Sequence, residues 1–393
     1  MNVLFLSKSF GFGGISILTS VLANKFQSLG HHVSVYVFFK GNGATIEERF
    51  AKDVKLHVGN GFTVSPNNIK QLRDILINEQ IDVVINQWGL PYIPIKVLTK
   101  AKQGLNIKVI SVYHNDPSTN GRLKDVEISL SYTSNPLKRL FLKGKWEIWK
   151  LLTSHSIHYV YDHSDCYVVL SPSYIEHFKQ FTRVKNTKKL VVPTYPVTLD
   201  ASDFIFEITK KKKEILYVGR IDYNQKRVYR VIDTWALLEK RFPDWKLTIV
   251  GDGPERKNIE EQVRILNLEH VSFEGFQQPT AYYQRASILI LTSEYEGFPL
   301  VLAECMSFGV IPAVYGSYTA VYDIIEDGKD GIILPFDKET GYEAQKMSER
   351  MVTVMDDPET LQSMAMQAVD KSKRYSLDAI GNSWSILLNK FSG

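Results

Sequence analysis

"SILILTSEYEGFPLVLAECMSFGVIPAVYG", residues 287–316, decides the fold. The apolar run SILILT is bounded by a turn and is too short for a helix, so it predicts a buried strand. Pro299 suits the first turn of a helix that runs to about Phe308 and is ended by Gly309. A second apolar run, VIPAVY, follows at once. Two strands without polar alternation, joined through a helix, make a βαβ unit of a parallel sheet. Carboxylates interrupt this apolar stretch, among them Glu296 in the loop and Glu304 in the second helical turn. Burying an unpaired charge is costly, so both need a partner. Eight positions at ~1.5 Å each place them on the order of 12 Å apart, too far to pair with each other. They can instead hold two ends of one elongated ligand.

The same alternation extends along the chain. Strand-like runs occupy residues 2–7, 32–39, 82–87, 108–114, 166–171 and 189–193, separated by helical patterns such as residues 13–30. The pattern breaks at "PTYPVTLDASDFIFEITKKKK", residues 193–213, whose four lysines are expected to form a solvated face. It restarts with runs at residues 214–219, 245–250, 270–275, 287–292, 310–315 and 331–334. The expectation is an α/β protein of two Rossmann-like, doubly wound parallel-sheet domains facing an interdomain cleft. Residues 1–197 and 198–375 form the two domains, and a C-terminal helix over 376–393 packs back on the first.

Composition limits the function. The chain has 393 residues and a net charge of +4, from 47 basic and 43 acidic residues, too weak a balance to argue for nucleic acid. Its two cysteines, Cys166 and Cys305, offer neither a disulfide framework nor metal-ligand spacing, and fit a cytoplasmic setting. No signal peptide and no membrane span is read. His155, His158 and His163 cluster without zinc-like spacing and read as surface and core histidines.

Ligands of such sheets bind at the carboxyl ends of the strands. The first strand runs into "SFGFGGIS", where Gly11, Gly13 and Gly14 precede a helix whose start attracts anions. The alternative is a tight turn that lets the helix pack closely. The second strand ends "VFFKGNG", with Lys40 where a dinucleotide site needs an acid, so a nicotinamide dehydrogenase is disfavoured. No phosphate-binding G-x-x-x-x-G-K-[ST] loop occurs either. In "VGRIDYNQKR", Arg220 and Lys226 sit at the first strand end of the second domain and suit a diphosphate. Helix-start amides of Phe298, Leu300 and Val301 would lie between the two glutamates and suit a phosphate as well. Carboxylates accept hydrogen bonds from hydroxyls. Two hydroxyl-bearing ends with a diphosphate between them describe a nucleoside diphosphate sugar.

"EGFPLVLAE" resembles the E-x7-E element of retaining GT-B glycosyltransferases, in particular glycosyltransferase family four. "VGRIDYNQK", "LTIVGDGPE", "VSFEGF" and "DIIEDGKDGIILP" extend the resemblance over most of the chain in order and spacing. The resemblance implies that Glu304 holds the donor ribose and that Glu296 contacts the transferred sugar. It implies that Arg220 and Lys226 bind the diphosphate while Gly13 and Gly14 let the first domain close over it. The backbone near Phe276 would edge the nucleobase, and His114 would lie near the donor sugar. It further implies no metal and no cofactor, with a nucleotide sugar (a UDP-sugar) as donor and a glycan or lipid-linked glycan as acceptor. The pattern departs from the family at Thr194 and Tyr195, which interrupt a usual Pro-Asn-Pro, and at "YGSYTAVYDII", where Asp323 replaces a glutamate.

Two other functions stay open: a nucleotide-sugar epimerase of the same fold, and a non-catalytic nucleotide-sugar-binding protein. One further stretch, "PLKRLFLKGKWEIWK" at residues 136–150, carries Lys138, Arg139, Lys143 and Lys145 with Trp146 and Trp149. At helical spacing Leu137, Leu140, Phe141 and Ile148 would pack on the sheet. The basic face would then rest on an anionic membrane, with the tryptophans at headgroup level, making the enzyme peripheral on the inner face.

Overall fold

Nearly every central strand is a run of β-branched and large apolar residues buried on both faces, and such strands pair only in a sheet covered by helices on each side. The computed structural model describes residues 1–11, 13–41, 46–199, 201 and 204–391. Phe12 of the glycine-rich turn, residues 42–43 after the second strand, and Asp200, Ser202 and Asp203 of the linker stretch lie outside the described residues.

In chain order the first part holds β1 (Asn2–Ser9), α1 (Gly14–Ser28), β2 (His32–Phe39), β3 (Lys55–Val58), α2 (Pro66–Asn78), β4 (Val83–Asn86) and α3 (Tyr92–Ala101). It continues with β5 (Lys108–Val112), α4 (Gly121–Tyr132), α5 (Pro136–Asp162), β6 (Cys166–Val168), α6 (Tyr174–Thr182) and β7 (Leu190–Val191). The second part holds β8 (Glu214–Val218), α7 (Val228–Leu238), β9 (Lys246–Val250), α8 (Arg256–Ile265), β10 (Val271–Gly275), α9 (Thr280–Arg285) and β11 (Ile288–Leu291). After these come α10 (Leu300–Ser307), β12 (Ile311–Gly316), α11 (Ala320–Ile324), β13 (Ile332–Pro335), α12 (Ala344–Met355) and α13 (Pro358–Ser372), and the chain closes with α14 (Leu377–Asn389).

The chain divides into two compact units, residues 1–198 with 377–393, and residues 199–376. The first unit has a seven-stranded sheet ordered β3-β2-β1-β4-β5-β6-β7, and the second a six-stranded sheet ordered β10-β9-β8-β11-β12-β13. The strand pairs are parallel, with Val3 opposite both Val33 and Val83, and Ile288 opposite both Ile215 and Ile311. Each unit is therefore a doubly wound α/β domain. In both, the strand order reverses once, between β1 and β4 in the first and between β8 and β11 in the second. The loops leaving those strands diverge and open a crevice.

Strand β3 escaped the reading of the sequence because it is short and carries Lys55 and His57 at the sheet edge, where Glu79 receives the His57 ring at 2.9 Å. Helix α14 belongs to the first unit: Trp384 is fully buried near Phe26 of α1, and Lys25 of α1 pairs with Asp378 at 2.6 Å.

Two expectations are corrected. Leu137, Leu140, Phe141 and Ile148 do not pack on the sheet but are 59 to 79% exposed; α5 buries Leu142, Thr153, Ile157, Val160 and Tyr161 instead. Within its N-terminal half only Leu142 is buried, so those side chains meet solvent. The tryptophans turn inward: Trp146 donates to Glu127 of α4 at 3.1 Å, and the Arg122 guanidinium covers the Trp149 ring at 4.8 Å. Among the four lysines, Lys211 is no solvated residue. Its ammonium lies over Phe204 and Phe206 and donates to the Tyr283 carbonyl at 2.8 Å.

Candidate active site

The crevice of the second unit is built by the loops leaving β8 and β11. After β8 the chain needs a tight path, and Gly251 and Gly253 of the next loop provide the room. A Cβ on Gly251 would come 1.8 Å from the Gly219 carbonyl, and one on Gly253 would come 2.2 Å from that of Ile221. The buried Asp222 then folds the loop on itself, its Oδ1 accepting from the Gln225 and Lys226 amides at 2.7 and 3.1 Å. Its Oδ2 takes the Arg220 Nε–H at 2.8 Å, which fixes one edge of a guanidinium that otherwise remains mostly exposed. The free edge of that fork remains available to an anion.

Lys226, held by this loop, reaches the β11 loop, where its Nζ lies 2.5 Å from Glu296 Oε1. Glu296 is buried and Lys226 partly so, and Gln225 Nε2 adds a bond to Glu296 Oε2 at 3.3 Å. Glu296, Lys226 and Arg220 thus come together at the point where the sheet reverses. The hydroxyl of Tyr217, under the loop, is pushed well above its ordinary pKa by burial and by the Asp222 and Glu296 carboxylates, so it stays a donor, to the Arg220 carbonyl at 2.8 Å.

Glu304 is buried on α10, as its place in the second turn requires, beside the buried Tyr283 hydroxyl. The helix start differs from expectation. Pro299 is not inside the helix but caps it at φ −75° and ψ 80°, the centre of an inverse γ-turn. The Leu300 amide therefore donates back to the Phe298 carbonyl at 2.9 Å and is not free for a phosphate. Phe276 stands largely exposed just beyond β10.

The first unit gathers its own group at its reversal. Gly13 lies at the N-cap of α1 with an extended φ of 175°, and a Cβ on Gly13 or Gly14 would meet nothing within 4 Å. Among the described residues, close packing of the helix therefore does not require these glycines. Across the sheet His114 follows β5, stacked on Tyr195 at 5.3 Å. The Gln87 carbonyl oxygen accepts from the Tyr195 hydroxyl at 2.8 Å and faces His114 Nε2 at 2.9 Å. Gln87 thus bridges the Tyr195 hydroxyl and the His114 ring. Desolvation pulls the His114 pKa down to about 3 against the upward pull of Gln87, so the imidazole is neutral.

Several residues of these groups were invisible in the sequence. Asp222 and Gln225 shape the β8 loop, and Gln87 and Tyr195 hold His114. Gln87 sits at a strand end, which is the signal that pointed to the others. Glu294, a third acid in the opening stretch, has a structural partner in Arg230 at 3.0 Å. Among the described residues, no three His, Cys, Asp or Glu side chains come together as a metal cluster.

Residues 12–194 match the family model described as Glycosyltransferase Family 4, and residues 200–371 match that described as Glycosyl transferases group 1. The chain is 26% identical over 352 residues to the Campylobacter jejuni enzyme named GalNAc-alpha-(1->4)-GalNAc-alpha-(1->3)-diNAcBac-PP-undecaprenol alpha-1,4-N-acetyl-D-galactosaminyltransferase, covering 88% of this chain and 91% of that protein. It is 32% identical over 173 residues to the alpha-D-kanosaminyltransferase of Streptomyces kanamyceticus, 43% of each chain. Among solved structures, Anabaena HepE in complex with UDP and glucose superposes with a TM-score of 0.73 at 17% identity, covering 99% of this chain and 100% of that one. The lipopolysaccharide outer core galactosyltransferase WaaB gives a TM-score of 0.70 at 18% identity, covering 99% of both. At such identities these two likenesses speak for the fold.

Proposed function

Since the chain belongs to the GT-B glycosyltransferases of family four, we propose that it moves a hexose or N-acetylhexosamine, with retention, from a nucleoside diphosphate sugar to a glycan acceptor of surface polysaccharide or glycolipid synthesis. The observation that carries the reading is the Lys226–Glu296 pair at the reversal of the second sheet, with Arg220 beside it. Positive charge is available there for a departing diphosphate, and a carboxylate for a sugar.

Sugar transfer needs help for the leaving group and for an oxocarbenium-like carbon. An arriving diphosphate competes with Glu296 for the Lys226 ammonium. As Lys226 turns to the phosphates, Glu296 is freed to accept hydroxyls of the transferred sugar. Arg220 forks onto the same phosphates, and the two cations stabilise the charge that develops as the nucleotide leaves. The reading needs no metal and no cofactor. Glu304 takes the ribose hydroxyls, and the exposed strand end at Phe276 borders the base. Neutral His114 meets a sugar hydroxyl, and Gly13 and Gly14 admit the phosphates. No protein nucleophile is assigned; the leaving oxygen takes the acceptor proton.

The donor is read as a UDP-sugar, in line with the UDP that HepE holds. The acceptor is read as a lipid-linked glycan, in line with the undecaprenol-linked glycan in the Campylobacter enzyme's name. No helix among the described residues is long and apolar enough to cross a membrane. The reading sets the enzyme in the cytoplasm, resting on the anionic inner face of the membrane through α5.

The test is incubation with a panel of nucleotide sugars, with and without a chelator. Acceptor-free hydrolysis of one UDP-sugar, unchanged by chelator, is expected. Conversion of a nucleotide sugar into its epimer would replace the reading with the epimerase. Binding without any turnover, even with lipid-linked acceptors present, would leave only a binding protein.

A further inference from the structure

A second cavity lies wholly within the first unit, between α3, the start of α4 and the middle of α5, and its volume is about 860 Å³. That is ample for a sizeable small molecule. Its walls are mainly rings and aliphatic chains, among them Trp88, Tyr92, Trp149 and Leu152. Several polar groups of the lining are used within the protein, although the buried Trp88 Nε1 has no partner among the described residues. Asn120 donates to Thr153 at 3.2 Å and caps α4 through the Leu123 amide, and Ser156 donates to the Leu90 carbonyl at 2.5 Å.

Two cations complete the lining, Lys96 and Arg122, and no carboxylate faces them from the cavity wall. Arg122 lies over the Trp149 ring at 4.8 Å and Lys96 over Tyr92 at 5.6 Å, so each is held at an aromatic wall by cation–π attraction. Neither forms an ion pair among the described residues, and both side chains are exposed. An apolar cavity with unneutralised cations at its mouth selects an amphiphile with an anionic head. The apolar surface does not stop at the lip. Leu152 is 54% exposed, and Leu151 and Ile148 carry an exposed apolar stripe onward along α5. A hydrocarbon chain longer than the cavity has a path to follow.

We propose that this cavity binds the prenyl diphosphate end of a lipid-linked acceptor: the diphosphate takes Arg122 and Lys96, and the first isoprene units lie against Trp88, Tyr92 and Trp149. The proposal rests on the glycosyltransferase reading for its biological sense but is tested without transfer. The cavity belongs to the acceptor, not to the donor, so its ligand binds alongside UDP.

Farnesyl diphosphate is the probe, titrated against the full chain saturated with UDP and followed by tryptophan fluorescence. Wild type is expected to bind it on the order of tenfold or more tighter than either inorganic pyrophosphate or farnesol, because head and chain are both read. The variant Arg122→Gln with Lys96→Gln is expected to fall to the affinity of farnesol, and Leu152→Asp to weaken both prenyl ligands. All three positions are at the surface, so the fold is kept. Donor hydrolysis is expected to be unchanged in each variant; its absence in wild type would count against the proposed function and not against this site. Equal affinity for pyrophosphate and farnesyl diphosphate, displacement by UDP, or indifference to the cation substitutions would overturn the proposal. Stronger binding of the free glycan, without prenyl chain, would assign the cavity to sugar instead.

Discussion

Lys226 Nζ lies 2.5 Å from Glu296 Oε1, and this one contact ties the loop after β8 to the loop after β11. Those two strands flank the reversal of the second sheet. Glu296 is buried and Lys226 keeps only a little exposure, so each charge depends largely on the other. The pair braces the crevice, and it places opposite charges where a phosphate and a sugar would need them.

Removing one partner alone should therefore cost more than removing both. Lys226→Met or Glu296→Gln is expected to lower stability by about 1–3 kcal/mol, since each leaves a largely shielded charge without its partner. The double variant should regain much of that loss, and a cycle of the four proteins measures the coupling. Additive losses in denaturation midpoint would show that the two side chains do not depend on each other.

Glu296 and Glu304 should fail differently. On the proposed function Glu304 binds hydroxyls remote from the reacting carbon, so Glu304→Ala should lower donor affinity while turnover of bound donor holds. On the same proposal Glu296 meets the transferred sugar, so Glu296→Ala should lower kcat, on the order of a hundredfold if it matters mainly in the transition state. Calorimetric donor titration beside steady-state kinetics checks the split. Equal effects on KM and kcat for both variants would remove the assignment of two ends.

What was legible in the sequence follows a physical line. The strands could be read because each is a local apolar run; the strand-end rule then singled out Arg220 and Lys226, the acids interrupting the apolar stretch singled out Glu296, and the family resemblance singled out His114. Partners across the sheet could not be read. That Lys226 meets Glu296 depends on β8 lying next to β11, and that Gln87 meets His114 depends on β4 lying next to β5. Tyr195, which departs from the family pattern, takes its meaning only from that second adjacency. Helical spacing also gave the wrong side of α5, because periodicity says which residues share a face and not whether a core exists to receive it.

The exposed face of α5 leads to a membrane prediction. Leu137, Leu140, Phe141 and Ile148 stand in solvent beside Lys138, Lys143 and Lys145, an apolar stripe edged by positive charge. Insertion of the stripe and attraction to anionic lipid should act together. Co-sedimentation with anionic vesicles is expected at low salt and to weaken at high salt. Leu140→Ser with Phe141→Ser should reduce it at both, whereas Lys→Gln at 138, 143 and 145 should abolish only the salt-sensitive part. Sedimentation that ignores both sets of changes would mean that α5 is not the contact.

Lys211 should make stability depend on pH. Burial among Phe204 and Phe206 carries its pKa down from 10.5 to about 7, with only slight opposition from the neighbouring Cys305. Between those two values the unfolded chain holds a proton that the folded one has released, so the stability of the wild type rises with pH across that window. Below about pH 7 both states are protonated and the full penalty of a buried ammonium is present. Lys211→Met removes the penalty at the expense of one hydrogen bond to the Tyr283 carbonyl. The variant should thus gain most, relative to wild type, near about pH 6, and its advantage should shrink steadily towards about pH 10. Paired thermal melts across that range read the difference directly. A difference that stays flat with pH, or grows as pH rises, would show that Lys211 keeps its charge in the folded protein.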